Sequence, residues 1–497
     1  MLFNSFEFLF LFLPATWCVW RLFCRYRRTG VALAWLLAAS LFFYAYWNPK
    51  YLSLLSFSIA VNYIIGRGIC RFRRGTQRKE APCADALLLL GIAMNLSLIG
   101  YYKYSGFFLE NAGAVFGFPM PVHEIFLPLG ISFFTFQQIA WLVDSRRGTV
   151  RTDGFVDYAL FVSFFPQLIA GPIVRAQEIL PQFGTNRTFA FSWKNLCFGI
   201  SLLSLGLFKK VVIADTFSPL AAAVFDGTDV PTFVEAWGGA LAYTFQIYFD
   251  FSGYSDMALG LGRLFNITLP ENFDSPYTAC SIVDFWRRWH MTLSAFLRDY
   301  LYIPLGGNRR GTVRRYLNLM ATMLLGGLWH GAGWTFVIWG GLHGACLTLN
   351  HLWRGARMPR LPKPLAWMAT FLAVVAGWVF FRSATCGRAF SILSGMAGLN
   401  GIVLPPDYAL AELVPGVLRF LGIGVAIPGV WHFEGRFQTV ALAVGFLLCL
   451  ALPNSFAWCS KYPWRDRPAK TRLIVGTALV AVVLSLHRVS EFLYFRF

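Results

Sequence analysis

Charge is scarce in this chain of 497 residues: Asp, Glu, Lys and Arg make up 13% of it, while 57% is hydrophobic and 18% aromatic. Soluble domains carry about twice that share of charge, so an ordinary soluble globular protein is excluded. Zinc and dithiol spacings are missing too, since the ten cysteines form no Cys-x-x-Cys pair and the seven histidines no His-Glu-x-x-His pair. No metal site is expected, and the cysteines read as packing residues. There is no Gly-x-Ser-x-Gly elbow and no histidine followed five places on by aspartate, which argues against a serine hydrolase and a His-x4-Asp acyltransferase. Neither an inverted repeat, a Gly/Ser linker nor a soluble domain interrupts the chain, so 1–497 reads as one membrane domain. The N-terminus lacks a basic n-region and a small-residue cleavage pattern, so the first apolar run is expected to stay in place.

What the chain has instead is a series of apolar runs, with a mean hydropathy of +0.55. Stretches at 8–24, 31–47, 51–66, 85–102, 125–143, 195–213, 237–258, 317–350, 364–382, 389–404, 411–431, 437–453 and 472–487 approach the roughly 20 residues a bilayer-spanning helix needs. An all-α polytopic membrane protein with roughly ten to thirteen spans is expected, some of them tilted, broken or re-entrant. The formal charge of +19 sits in short loops, such as Arg25, Arg27 and Arg28, or Arg67 to Lys79. By the positive-inside rule these loops are cytoplasmic and the N-terminus lies outside. They make no groove-facing stripe, so nucleic acid is not an expected partner.

One histidine stands where an apolar segment rarely tolerates one: Gly326-Gly327-Leu328-Trp329-His330-Gly331-Ala332-Gly333. An ionisable group at membrane depth is costly and marks a functional site by default. The glycines suggest a narrow passage to the imidazole. Arg314 and Arg315 precede 317–350 while Arg354 and Arg357 follow it, which places both ends on one side. A hairpin or broken helix turning near Trp329-His330-Gly331 satisfies that count. His343 and His351, near the end of the same segment, read as interfacial.

The stretch 263–315 is too polar to span and reads as interfacial or re-entrant helices. It carries Asp284-Phe285-Trp286-Arg287-Arg288-Trp289-His290 and then Arg298-Asp299-Tyr300 and Leu305-Gly306-Gly307-Asn308-Arg309. Cations alternating with aromatics fit a belt at headgroup level. The functional alternative to that favoured reading is an anion-binding mouth, in which Arg287, Arg288, Arg298, Asn308 and Arg309 would hold the phosphates of a donor such as coenzyme A. Asp250 and Asp256 lie inside an apolar run, so each needs a partner: an arginine of 263–315, or a histidine that it orients. A second break, Phe164-Phe165-Pro166-Gln167-Leu168-Ile169-Ala170-Gly171-Pro172, leaves amides unpaired and must be buried or line a cavity.

Taken in order, Trp286-Arg287-Arg288-Trp289-His290, Arg298-Asp299-Tyr300, Leu305-Gly306-Gly307-Asn308-Arg309 and Gly326-Gly327-Leu328-Trp329-His330-Gly331-Ala332 resemble the membrane-bound O-acyltransferase family. Pro166 to Pro172, Tyr248 to Asp256 and Glu271-Asn272-Phe273 resemble its bacterial alginate O-acetyltransferase branch, with the teichoic acid D-alanyl transfer proteins more distant. The resemblance implies a multi-helix fold around a central tunnel, with a catalytic core at about 155–355. It implies His330 as catalytic residue and general base, and His290 as second active-site residue. Trp329, Asp250 and Asp256 would support or orient them. It further implies no bound cofactor, acetyl-CoA as donor from the cytoplasm, a polysaccharide acceptor outside the bacterial inner membrane, and a periplasmic acetyltransferase or similar partner that relays the acetyl group or assists. Transfer of a D-alanyl or lipid acyl group, or a transporter or scaffold without catalysis, are the alternatives.

Overall fold

The computed structural model describes residues 1–75, 81–118, 125–150, 154–405, 407, 422–425, 433–461, 468–486 and 492–493. Helix dominates, and the strands described are two parallel three-residue pieces, Ile402–Leu404 beside Ile423–Val425. Among the described residues five helical stretches are long and apolar enough to cross a bilayer: Glu7–Arg25, Lys50–Arg73, Pro82–Phe116, Trp193–Phe225 and Lys363–Arg382. Gly435–Ala451 and Ser455–Lys461, bent by 51°, add a broken span. Other expected spans fall on shorter apolar helices, such as Thr29–Ala45, or on long helices that carry buried polar groups, such as Phe233–Leu264. The run 389–404 is a correction: it forms the eleven-residue helix Cys386–Met396 and then a strand, too short to span. Most of 411–431 lies outside the described residues, as do His123, His432 and His487.

The chain forms two compact units. The first comprises Met1–Leu207, Tyr254–Asn272 and Ser455–Phe495. Its helices meet through a ladder of buried amides. Asn95 Nδ2 donates to Asn62 Oδ1 at 2.7 Å and Asn62 Nδ2 to the Ser58 carbonyl at 2.9 Å. Gln138 Nε2 donates to Ser58 Oγ at 2.9 Å, and its Oε1 accepts from the Tyr158 hydroxyl at 3.2 Å. Between apolar helices in a membrane, such polar contacts supply specificity that hydrophobicity cannot, because lipid tails are as apolar as leucine. The proline-broken stretch 164–172 is buried here, between the helices Phe155–Ser163 and Ala176–Phe183. Gly171 is required: a Cβ there would lie 2.4 Å from the Gln167 Cα.

The second unit comprises Phe208–Gly253, Phe273–Asn454 and the last two residues. Its centre is a helical hairpin, Thr312–His330 and Trp334–Gly355, joined by three residues. The expected turn beside His330 is therefore where the chain reverses. At the open end, Arg315 Nη2 meets His351 Nδ1 at 2.5 Å, which brings the two basic flanks together. Close packing along the seam depends on glycine. A Cβ on Gly327 would lie 2.2 Å from the Phe336 carbonyl, and one on Gly340 2.3 Å from that of Met323. Gly344, one turn beyond Gly340, faces Met320 in the same way, so small residues at i and i+4 set the approach of the helices. Of the four glycines beside His330, Gly327 and Gly331 are packed against Phe336, whereas Gly333 has only ordinary contacts from 3.7 Å.

Candidate active site

His330 is the last residue of its helix because Gly331 leaves the helical region and extends, at φ −158°. A side chain on Gly331 would strike the Phe336 ring at 2.1 Å, so the turn is fixed by packing. The His330 ring, 5% exposed, stands edge-on to Trp329 at 4.9 Å, Trp339 at 5.1 Å and Phe381 at 5.2 Å. Aromatic walls of this kind fix a rotamer and exclude water.

His290 reaches the same place from another element. Helix Ile282–Arg288 begins at Ser281, whose Oγ accepts from the Asp284 amide, and ends at Trp289. His290 then takes the left-handed conformation, φ 44° and ψ 54°, before helix Met291–Leu297 starts. A non-glycine residue held there costs about 1–3 kcal/mol and persists when its surroundings over-determine it, which is common at functional sites. Those surroundings include Phe251, edge-on at 4.8 Å. The two imidazoles lie 6.5 Å apart between ring centres, close enough for one reacting group to reach both. Burial pushes the His290 pKa down to about 3, so this imidazole is neutral at ordinary pH.

Trp329 joins the cluster, 6.3 Å from His290. Asp250 meets Lys210 Nζ at 2.7 Å, and Lys210 also meets Asp215 at 2.9 Å, a buried ion pair whose cation comes from outside 263–315. It anchors the helix turn that presents Phe251. Asp256 is buried in the first unit. Among the donor-binding candidates, Arg288 pairs with Asp284 at 3.0 Å and Arg298 with Asp299 at 2.6 Å, and Arg298 is exposed, as are Arg287, Asn308 and Arg309. Gly306 and Gly307, at φ 111° and 54°, form the turn that carries Asn308, and the Gly307 carbonyl accepts from Asn318 at 3.0 Å. The headgroup belt is corrected for two members. Trp286 and Trp289 are buried, and Trp289 packs on Trp378 at 4.8 Å and Tyr277 at 6.1 Å.

Sequence reasoning missed Trp339, Trp378 and Phe381, which wall the site, and misplaced His343. His343 is fully buried mid-helix, not interfacial. The signal was present: Trp339 and His343, four apart, share the helix face that turns toward His330.

Residues 120–387 match the model of MBOAT, the membrane-bound O-acyltransferase family. The chain belongs to this family. As a membrane-bound O-acyltransferase it is an enzyme, and both histidines lie inside the matched segment. It is 40% identical to the peptidoglycan O-acetyltransferase of Helicobacter pylori, covering 100% of this chain and 98% of that one. It is equally 40% identical to the probable alginate O-acetylase AlgI of Azotobacter vinelandii over the whole of both. The teichoic acid D-alanyltransferase of Streptococcus thermophilus is 29% identical over 45% of this chain and 57% of its own length.

Proposed function

We propose that this acyltransferase moves acetyl from cytoplasmic acetyl-CoA to a hydroxyl of an extracytoplasmic polysaccharide at the bacterial inner membrane, either directly or through a periplasmic partner protein. The full-length similarity to proteins named as peptidoglycan and alginate O-acetylating enzymes supports acetyl as the group and a glycan as the acceptor. The observation that carries the chemistry is the pair of buried imidazoles, 6.5 Å apart at the hairpin turn.

In this reading His330 is the general base. It takes the proton of the acceptor hydroxyl as the oxygen attacks the thioester carbonyl. The new C–O bond forms, the C–S bond breaks, and the imidazolium returns the proton to the departing thiolate. Neutral His290 suits the complementary task, donating an N–H to the oxyanion as charge develops. Trp329 holds the His330 ring, and Asp250, fixed by Lys210, sets the position of Phe251 against His290. Arg287 and Arg309 are exposed and would bind the donor's phosphates, with Asn308 assisting. Arg288 and Arg298, already paired, would contribute less.

The test is turnover of radiolabelled acetyl-CoA by purified protein with a glycan acceptor. His330→Ala should lower kcat about 10²- to 10⁴-fold with an unchanged thermal melt, the usual size of a general-base contribution. Equal turnover by the variant would place the base elsewhere. A wild type inert toward acetyl-CoA but active with a D-alanyl donor would replace the acyl group in this reading.

A further inference from the structure

A third histidine lies beside the pair, in surroundings that a structural role does not explain. His343 is 0% exposed, and neither of its ring nitrogens has a hydrogen-bond partner. Its neighbours are aromatic: Trp339 at 4.8 Å, Trp286 at 5.2 Å, Phe285 stacked at 6.2 Å and Trp378 at 6.5 Å. Two of these, Trp286 and Trp339, also have indole N–H groups that are buried and unpaired. Buried donors without partners cost free energy that phenylalanine, filling the same space, would not. Three such groups in one cage indicate a use for the polar atoms.

The cage adjoins the reaction centre, because Trp339 touches His330 on one side and His343 on the other. Helix Lys363–Arg382 closes it at Gly377, where a Cβ would lie 3.0 Å from His343 Nε2 and 3.5 Å from Trp339 Nε1, so glycine lets that helix pack directly against both nitrogens. Toward the surface the cage ends at Trp286, next in sequence to the exposed Arg287. Indole nitrogens only donate, so the group that complements the cage is an acceptor oxygen. The apolar walls disfavour a carboxylate, which would need a cation there, and a hydroxyl-rich sugar. A neutral carbonyl satisfies both conditions.

We propose that His343, with the indole N–H groups of Trp339 and Trp286, is a carbonyl-binding subsite for the acyl donor, adjacent to His330. It rests on the acyl-CoA reading given above. The oxygen is either the thioester carbonyl or an amide carbonyl of the pantetheine arm. These share one chemistry, and a thioether analogue separates them because it keeps the amides and lacks the thioester oxygen.

The experiment uses the full chain in detergent as wild type, His343→Phe, His343→Gln and Trp286→Phe, with steady-state acetyl-CoA kinetics, thermal melting and inhibition by S-ethyl-CoA. His343→Phe keeps the ring and removes the nitrogens. It should raise KM for acetyl-CoA about tenfold, the worth of one buried hydrogen bond, while melting no lower than wild type. Glutamine should restore part of the loss, and Trp286→Phe, which tests the cage even if position 343 tolerates no change, should raise KM severalfold. Weaker S-ethyl-CoA inhibition in parallel assigns the oxygen to an amide, and unchanged inhibition assigns it to the thioester. If His343→Phe and Trp286→Phe both kept wild-type constants, the subsite would be refuted while acyl transfer stood. A wild type that does not consume acetyl-CoA would remove the donor reading, and the subsite with it.

Discussion

The amide ladder of the first unit and the histidine cluster of the second are both polar, buried and set among apolar helices, yet they are built on opposite terms. Asn62, Asn95, Gln138, Ser58 and Tyr158 hydrogen-bond to one another and to backbone at 2.7–3.4 Å. The second cluster surrounds His290, His330 and His343 with rings instead, and leaves the nitrogens of His343 and the indoles of Trp286 and Trp339 unpaired. A satisfied network stabilises one packing and has little left to offer a substrate. An unsatisfied one costs stability and keeps donors ready for a ligand.

Exchanging the effects on the two clusters is the sharpest way to break that contrast. His330→Ala should produce the largest change in activity and almost none in stability, as measured by turnover beside a melting curve. Gly340→Val comes next. Its side chain must displace the Met323 carbonyl, 2.3 Å from the Cβ position, so the hairpin seam should open and both folding yield and activity should fall. Recovery of a normally melting protein would show that the seam is softer than its geometry.

Asn95→Leu should do the reverse of His330→Ala. It leaves Asn62 without its 2.7 Å partner, so a loss of about 1–2 kcal/mol is expected, while kcat per folded molecule stays at wild type. Asn62→Leu combined with it should cost less than the two separate losses together, because no orphaned amide remains.

The smallest effect concerns pH. With its pKa lowered to about 3 in the folded state against an unfolded value of about 6.5, His290 takes up a proton in the unfolded chain first. Its contribution to stability is complete above pH 6.5 and is lost progressively as pH falls toward 3. His290→Gln should flatten that part of the melting-temperature profile. An unchanged slope would assign the titration to other groups.

Much of this was legible in one dimension. The basic flanks of 317–350 required both ends on one side, and only a turn near His330 satisfies that in so short a segment. The order of the tryptophan, arginine and histidine motifs was enough to indicate the family to which the chain belongs. Less legible was what each residue faces. His343 reads as interfacial because its position along the segment is visible, whereas its burial depends on Phe285, Trp286 and Trp378 arriving from other helices. The glycines beside His330 suggest open space for the same reason, and helix packing fills it at Gly327 and Gly331.

The sequence by itself determined the solvent in which this chain folds, the place where its central hairpin turns, and the two histidines to examine first. Hydropathy, loop charge and residue order are properties of position along the chain, so they needed no coordinates. Tertiary structure decided that His290 sits in a left-handed kink 6.5 Å from His330, that Asp250 is held by Lys210, and that a third imidazole shares the aromatic cage. Those facts depend on side chains from distant segments meeting at fixed orientation, and no local pattern encodes that.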